Sequence, residues 1–493
     1  MPLNWGKRGR CPPLDIPLPA IARHPQTLVE ARELESWLAG LPAASPRRQA
    51  LALQRQLGFL VRDPDPPRHL GRLLPLFHPA VAELQRAGRE CIDIGSLLLS
   101  PEQRTLLETL PGLFEELASA HMRAARLAID AGRRPELADL YNAMLLLARL
   151  VQWNLLQHQQ LRPGLWRQLV QLQQVADWLR TPHRAVSSLL ATADDARDCN
   201  GLFRGTLLLL LADSYRQPRH CTEALLRALP RLAEELRLVP AGRQVRGIPL
   251  ELSGERLPLD FARRPHGARA THHLAVTRLL ARLPELLPED ACGLRRWLEG
   301  DLRALLEGRR ERRYPRETSS QGYRAIVGLE AVHARLLALQ QGQGALIPPP
   351  PEDAIPCRQN DISVGGASFI LSAETLPPRC GEWLLFEAEA RPGSGFVAGM
   401  RRRLVDDNGY QYIGVERLAG HVIPVTLGDA RRPGILHAQP QRSEFRLLAP
   451  AGHFRGTGTV ETLVGSHRDY RVRQLELLSR RDVGEVIRVV LLA

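Results

Sequence analysis

Asp361 and Ser363 stand two residues apart, just ahead of the glycine pair Gly365 and Gly366, in the segment RQNDISVGGASFIL from Arg358 to Leu371. On an extended strand, side chains two apart face the same way. An ionised Asp only accepts hydrogen bonds, whereas a Ser hydroxyl both donates and accepts, and a carboxylate acceptor suits the N1 and N2 donors of a guanine edge. The glycines carry no Cβ, so a ligand or another backbone can come close, or a bulge can form. The following ASFIL returns the chain to a buried strand. This is the pattern expected at the edge of a purine-sized pocket.

Upstream lies Arg312-Arg313-Tyr314-Pro315-Arg316. Two guanidinium forks four residues apart can clamp phosphate oxygens and the O6/N7 edge of a guanine bidentately. In an arginine-rich chain this spacing is a weak signal alone. It gains weight from the order in which three segments follow one another: ERRYPRE, then NDISVGGASFIL, then VAGMRRRLVDDNGYQYIGVERL.

Taken together, the three resemble the successive signatures of PilZ domains, six-stranded antiparallel barrels that bind the second messenger cyclic di-GMP. The resemblance runs from Gly308 to about Val425. It implies a ligand site made of Arg312 and Arg316, with Arg313 as an additional contact, and of Asp361, Ser363 and Gly366. The chain departs from the pattern in one respect. Arg316 and Asp361 are 45 positions apart, a longer separation than the family implies. Either a helix is inserted in the barrel's first connection, or the arginines do not reach the pocket.

The elements that must position these residues divide by composition. Over roughly the first 300 residues, apolar positions recur at helical spacing, as in RQALALQRQLGFLV and LYNAMLLLARLVQWNLL. Ser45-Pro46, Ser100-Pro101 and Thr181-Pro182 each read as a hydroxyl N-cap before a proline at the first helical position, and Gln103 completes a capping box with Ser100. The stretch PAGRQVRGIPLELSGERLPLDFARRPHGARATHH reads as loops or a short hairpin. The segment GYRAIVGLEAVHARLLAL begins as a strand and ends as a helix. Pro348 to Pro351 then form an extended spacer, which is a candidate boundary for interdomain motion. Beyond Pro356, short strands alternate with Gly, Pro and Asp, and Asp407-Asn408-Gly409 marks a hairpin.

The expected fold class is therefore multidomain α + β. An all-α helical bundle or helix-pair domain (1–305) precedes a PilZ-like antiparallel β-barrel (306–425, with a long insertion at 318–356) and a further β extension (426–493).

The chain has 493 residues and a formal net charge of +13, and Lys7 is its one lysine, so arginine supplies nearly all the positive charge. An anionic partner is expected. Nucleic acid is the less favoured one, because aromatics make up only 5% of the chain and few are interleaved with the arginines. Seven scattered cysteines without C-x-x-C point to free thiols and to neither disulfides nor a zinc site. No segment reads as a signal peptide or membrane span, and a cytoplasmic location is expected.

Other motifs carry less. GSGFVAG (Gly393 to Gly399) lacks a following helix and reads as a strand turn. His272-His273 reads as a helix surface, and Glu223-Ala224-Leu225 as part of an amphipathic helix. No catalytic constellation or cofactor is expected. The implied function is a cyclic di-GMP effector whose helical domain meets an unidentified protein partner, with outputs such as surface attachment, type IV pili, motility or biofilm formation. The alternatives are a degenerate PilZ scaffold that binds no nucleotide and a basic nucleic-acid-binding protein.

Overall fold

A computed structural model describes residues 11–492 except 16–22, 43–44, 95–99, 218, 243–245, 255, 264–269, 288–292, 309–316, 342–347, 364, 373, 392, 407, 419, 429–430, 439–444 and 482. The helical half begins with α1 (Ala31–Ala39), α2 (Pro46–Arg62), α3 (Leu70–Ile94), α4 (Pro101–Asp130), α5 (Leu137–Leu156), α6 (Leu165–Trp178), α7 (Cys199–Leu211) and α8 (Arg219–Glu234). It continues through β1 (Arg237–Pro240), β2 (Ile248–Leu250), α9 (Pro258–Arg263), β3 (His272–Ala275), α10 (Thr277–Leu286) and α11 (Leu294–Leu306). Among its described residues one apolar core extends from Leu14 to Leu305. Helix α5 is apolar on almost every side and is correspondingly buried along nearly its whole length, with α4, α6, α7 and α8 packed around it.

The capping box forms as the sequence predicts: Gln103 N donates to Ser100 Oγ at 3.2 Å, and Ser100 N donates to Gln103 Oε1 at 2.9 Å. Pro46 opens α2 after Ser45, although the Ser45 side chain makes no capping bond. Thr181-Pro182 does not start a helix. Local side-chain bonds win there: Leu190 N donates to Ser188 Oγ and Thr192 N to Asp195 Oδ2, so the backbone between α6 and α7 is held in turns. The stretch read as loops or a hairpin forms an antiparallel sheet in the order β1-β3-β2. His272-His273 lies on β3 and not on a helix surface. His272 and Leu274 are buried and His273 is half-buried, a period of two that only a strand produces.

Two antiparallel barrels follow. The first comprises β4 (Glu317–Thr318), β5 (Gly322–Val327), β6 (Ile355–Ser363), β7 (Gly366–Leu371), β8 (Trp383–Ala388), β9 (Gly395–Val405) and β10 (Gln411–Arg417), with α12 (Leu329–Gln341) between β5 and β6. Its sheet runs β4-β6-β5-β8-β9-β10-β7, and the added β6–β7 pairing closes six of these strands into a ring. The second is a closed barrel of β11 (His421–Leu427), β12 (Arg432–Ala438), β13 (Phe445–Ala449), β14 (Val460–Gly465), β15 (Asp469–Arg481) and β16 (Gly484–Leu491). No helix among the described residues is long and apolar enough to cross a membrane.

Helix α12 explains the apolar run of β8, in which all six residues are buried. Leu384, Phe386 and Ala388 point into the barrel, where Phe386 stacks on Phe369 at 4.0 Å. Trp383 and Leu385 face outward beneath α12, together with Ile435 and Leu448 of the second barrel. Glu387, also outward, meets Arg335 of α12 in a buried two-bond pair at 2.6 and 2.8 Å. Arg335 donates a further bond to Pro349 O at 3.1 Å. The proline stretch thus links α12 to β6 within the barrel layer. It is not a boundary between the helical half and the barrels, because a buried arginine ties it down.

Candidate functional site

Strands β6 and β7 form a hairpin whose closing pair is Ser363 opposite Gly366. Ser363 Oγ donates to Gly366 O at 3.1 Å, which fixes the turn and leaves the oxygen lone pairs able to accept. Gly366 is required by its neighbour: a Cβ there would lie 2.4 Å from Val415 O of β10. A break in the β6–β7 register between Gln359 and Asp361 sets Asn360 apart, and its Nδ2 donates to Ser368 Oγ at 3.1 Å. Ile362 packs inward against the barrel core, so Asp361 and Ser363 share the outer face. Both are half-buried. The barrel interior is filled by Phe369, Phe386, Phe396 and Tyr323, so the polar motif forms an outer ledge and not a lumen site.

Register places further groups on this ledge. Asp361 pairs with Ser368, Ser368 with Gly414, and Gly414 with Arg402. Gly366 pairs with Glu416, whose Oε2 accepts from Arg401 Nε at 2.6 Å. Arg417, next along β10, lies over the Phe396 ring at 4.5 Å. The sequence contained a signal for these residues that went unused: three consecutive arginines, Arg401 to Arg403, inside an otherwise apolar strand.

Arg312, Arg313 and Arg316 lie outside the described residues. The chain that follows them is placed, however. Glu317 is opposite Ile362 and Thr318 opposite Asp361 in the antiparallel β4–β6 pairing. The sequence left two alternatives for the long separation. One half of the first is seen directly, since strand β5 and helix α12 occupy the interval. Chain folding through that interval brings residue 317 back onto the motif.

At its other end the ledge meets the helical half. Arg402 lies over the Tyr215 ring at 5.6 Å. Tyr215 OH donates to Gln159 O at 2.8 Å, and Gln160 N donates to Val405 O at 2.9 Å. Val405 N in turn donates to His158 O at 2.8 Å, so the end of β9 is stitched to the α5–α6 loop. Burial raises the Tyr215 hydroxyl pKa well above its usual range and lowers that of Arg403 to about 10. Counted around the barrel wall, the path from Asp361 through β7 and β10 to Arg402 crosses three strand spacings, roughly 14 Å.

The remaining sequence motifs resolve simply. Gly393 takes a left-handed φ of 81° in the turn before β9, so GSGFVAG is a strand turn. Glu223-Ala224-Leu225 lies on α8 with Leu225 in the core. No group of three or more His, Cys, Asp or Glu side chains among the described residues could hold a metal ion.

Residues 32–241 match the family model described as the N-terminal domain of the cyclic-di-GMP receptor FimW. The helical half is therefore similar to part of a cyclic-di-GMP receptor. The match covers less than half of the chain and ends with β1, before either barrel. It includes the α5–α6 loop and Tyr215, the surface on which β9 docks. No curated protein matches the chain.

Proposed function

We propose that the chain is a cyclic di-GMP effector, that its first barrel is a PilZ domain, and that the β6–β7 ledge receives the nucleotide. Asp361 accepts from the N1 and N2 donors of one guanine, Ser363 hydrogen-bonds the same half of the ligand, and Gly366 lets the backbone approach. Arg312 and Arg316, with Arg313 beside them, close over the phosphates and the guanine O6/N7 edges. The observation that carries this reading is the β4–β6 register. With Glu317 opposite Ile362, covalent geometry keeps the Arg316 Cα within about 3.8 Å of that of Glu317. The similarity of the helical half to a cyclic-di-GMP receptor family supports the same ligand.

The helical half is the output half and meets a protein partner. Ligand capture biases the set of arrangements at the β9 junction by population shift. The row from Asp361 through Ser368 and Gly414 to Arg402 gives that bias a physical course to Tyr215. The role is that of a receptor and not an enzyme, in the cytoplasm of a bacterium, with surface attachment and type IV pili as the first outputs to examine.

Calorimetric titration of the full chain with cyclic di-GMP tests the reading, with GTP and cyclic di-AMP as controls. Saturable binding should be lost in Arg312→Ala/Arg316→Ala and in Ser363→Ala. Loss with Ser363→Ala alone would retain the ledge and place the arginines elsewhere. Absence of heat and of thermal stabilisation with every nucleotide would leave the barrel as a scaffold.

A further inference from the structure

The helical half contains a cleft of about 350 Å³ that neither the barrels nor the ledge touches. It lies between α3, α4, α5, α8 and the connection from α6 to α7. Its apolar lining comes from Phe114, Trp153, Leu156, Leu190 and Leu226. Phe114 and Trp153 meet edge to face at 5.8 Å, which gives the lining a rigid aromatic element. Gly88 allows this packing, since a Cβ there would lie 2.7 Å from the Trp153 ring. On the lip, Leu189 is 68% exposed and carries the apolar lining out to the surface.

The charged residues of the lining are unbalanced. Arg86, Arg89, Arg149 and Arg227 contribute positive charge against Asp194 and Asp195. Asp195 is buried and already bound by Arg149, with Thr192 N and Oγ1 as further donors to it. Among the described residues Arg86 has long, exposed pairs to Glu83 and Glu90 at 3.7 Å, and such pairs hold a side chain weakly.

We infer that this cleft is the docking site for an acidic segment of a partner protein that inserts an apolar side chain, aromatic or leucine, between flanking Asp or Glu residues. The volume is at the small end of ligand pockets and fits one or two side chains. Arg86 and Arg227, both exposed at the rim, are placed to meet carboxylates outside the pocket. An apolar anchor ringed by arginine and aromatic residues is the composition of interface hot spots. The inference rests on the helical half being the partner-facing half, and it is independent of nucleotide binding.

The test is selection of a random 16-residue peptide phage library on the full-length chain without nucleotide, repeated on Arg86→Glu/Arg227→Glu and on Leu189→Asp. These three side chains are exposed, and unchanged melting temperatures would show that the variants fold. The expected result is enrichment of peptides with an apolar anchor between acidic residues. Enrichment should fall at least tenfold on both variants, and binding should weaken as salt is raised. Enrichment of basic peptides, enrichment indifferent to both variants, or no enrichment would each overturn the inference. Calorimetry with cyclic di-GMP on the same Arg86→Glu/Arg227→Glu protein separates the two readings, because ledge binding should be unaffected there.

Discussion

The two barrels are built from the same number of ring strands, yet they are held together differently. The first has an aromatic core, with Phe369 stacked on Phe386 and Phe396 and Tyr323 beside them. Large rings fill its interior and leave no lumen, so polar chemistry is displaced to the outer ledge. The second has an aliphatic core of Val425, Leu427, Leu436, Leu447, Leu463, Val472, Ile487 and Val489. Its main polar anchor is Glu485, which is fully buried. Glu485 accepts from Gly452 N at 3.0 Å, Phe454 N at 2.7 Å and Arg480 Nε at 2.6 Å. Architecture alone thus assigns no function to either barrel. What separates them is where each puts its polar groups: the first on the outside of its strands, at the hairpin and beneath α12, the second inside, fastening a loop.

The sharpest way to break this comparison is at the buried ion pair of the first barrel. Glu387→Ala should destabilise the chain by about 3–5 kcal/mol in chemical denaturation, because Arg335 would remain buried without its partner. A loss under about 1 kcal/mol would mean that the pair does not hold α12 in place.

In the second barrel, Glu485→Gln should cost about 2 kcal/mol at pH 7. Burial pushes the Glu485 carboxyl pKa up, but the Phe454 and Gly452 N–H groups and Arg480 together outweigh burial and hold it below the usual carboxylate range. A depressed folded-state pKa gives stability that is full above the unfolded value, near 4.5, and is lost as pH falls through the folded one. Thermal melts between pH 6 and 3 should show this loss in the parent and a flatter profile in Glu485→Gln. Equal slopes would remove Glu485 as an acid-sensitive group of the second barrel.

The smallest expected effect is at the junction. Tyr215→Phe removes the bond to Gln159 O and should cost about 1 kcal/mol. Its informative readout is hydrogen exchange at Gln160 and Val405, whose amides span the junction. Faster exchange there, with both barrel cores unchanged, is the expected pattern. Unchanged exchange would show that the backbone stitch holds without the tyrosine.

Legibility in the sequence followed the range of the interactions. The barrel strands were readable because alternation and turn residues are local. β9 and β10 form the hairpin that Asn408-Gly409 marks, with Asp406 Oδ1 accepting from Asn408 N and Tyr410 N, and Asp407 lies outside the described residues. The Asp361–Gly366 motif fell at a strand hairpin for the same reason. Thr181 misled because its cap-and-proline pattern competes with Ser188 and Asp195 farther along the connection. The β1-β3-β2 sheet was hidden because β3 lies more than twenty residues from both partners' starts. The course from Arg402 to Tyr215 joins residues nearly two hundred positions apart, and no local pattern encodes such a pairing. The all-buried β8 was legible as a strand, but the helix that covers it became clear only from the packing of α12.

Helix α12 has one more consequence. It lies on β5 and β8 of the first barrel and on β11 and β12 of the second, and Val332 and Leu336 share one apolar cluster with Ile435 and Leu448. A truncated fragment ending at Leu418 would keep every strand of the first barrel, yet it would expose to water the apolar flank that the second barrel normally covers. Such a fragment should be sticky and short-lived in a cell, so the natural unit for expression, for domain grafting and for inheritance through gene fusion is the pair of barrels and not either one.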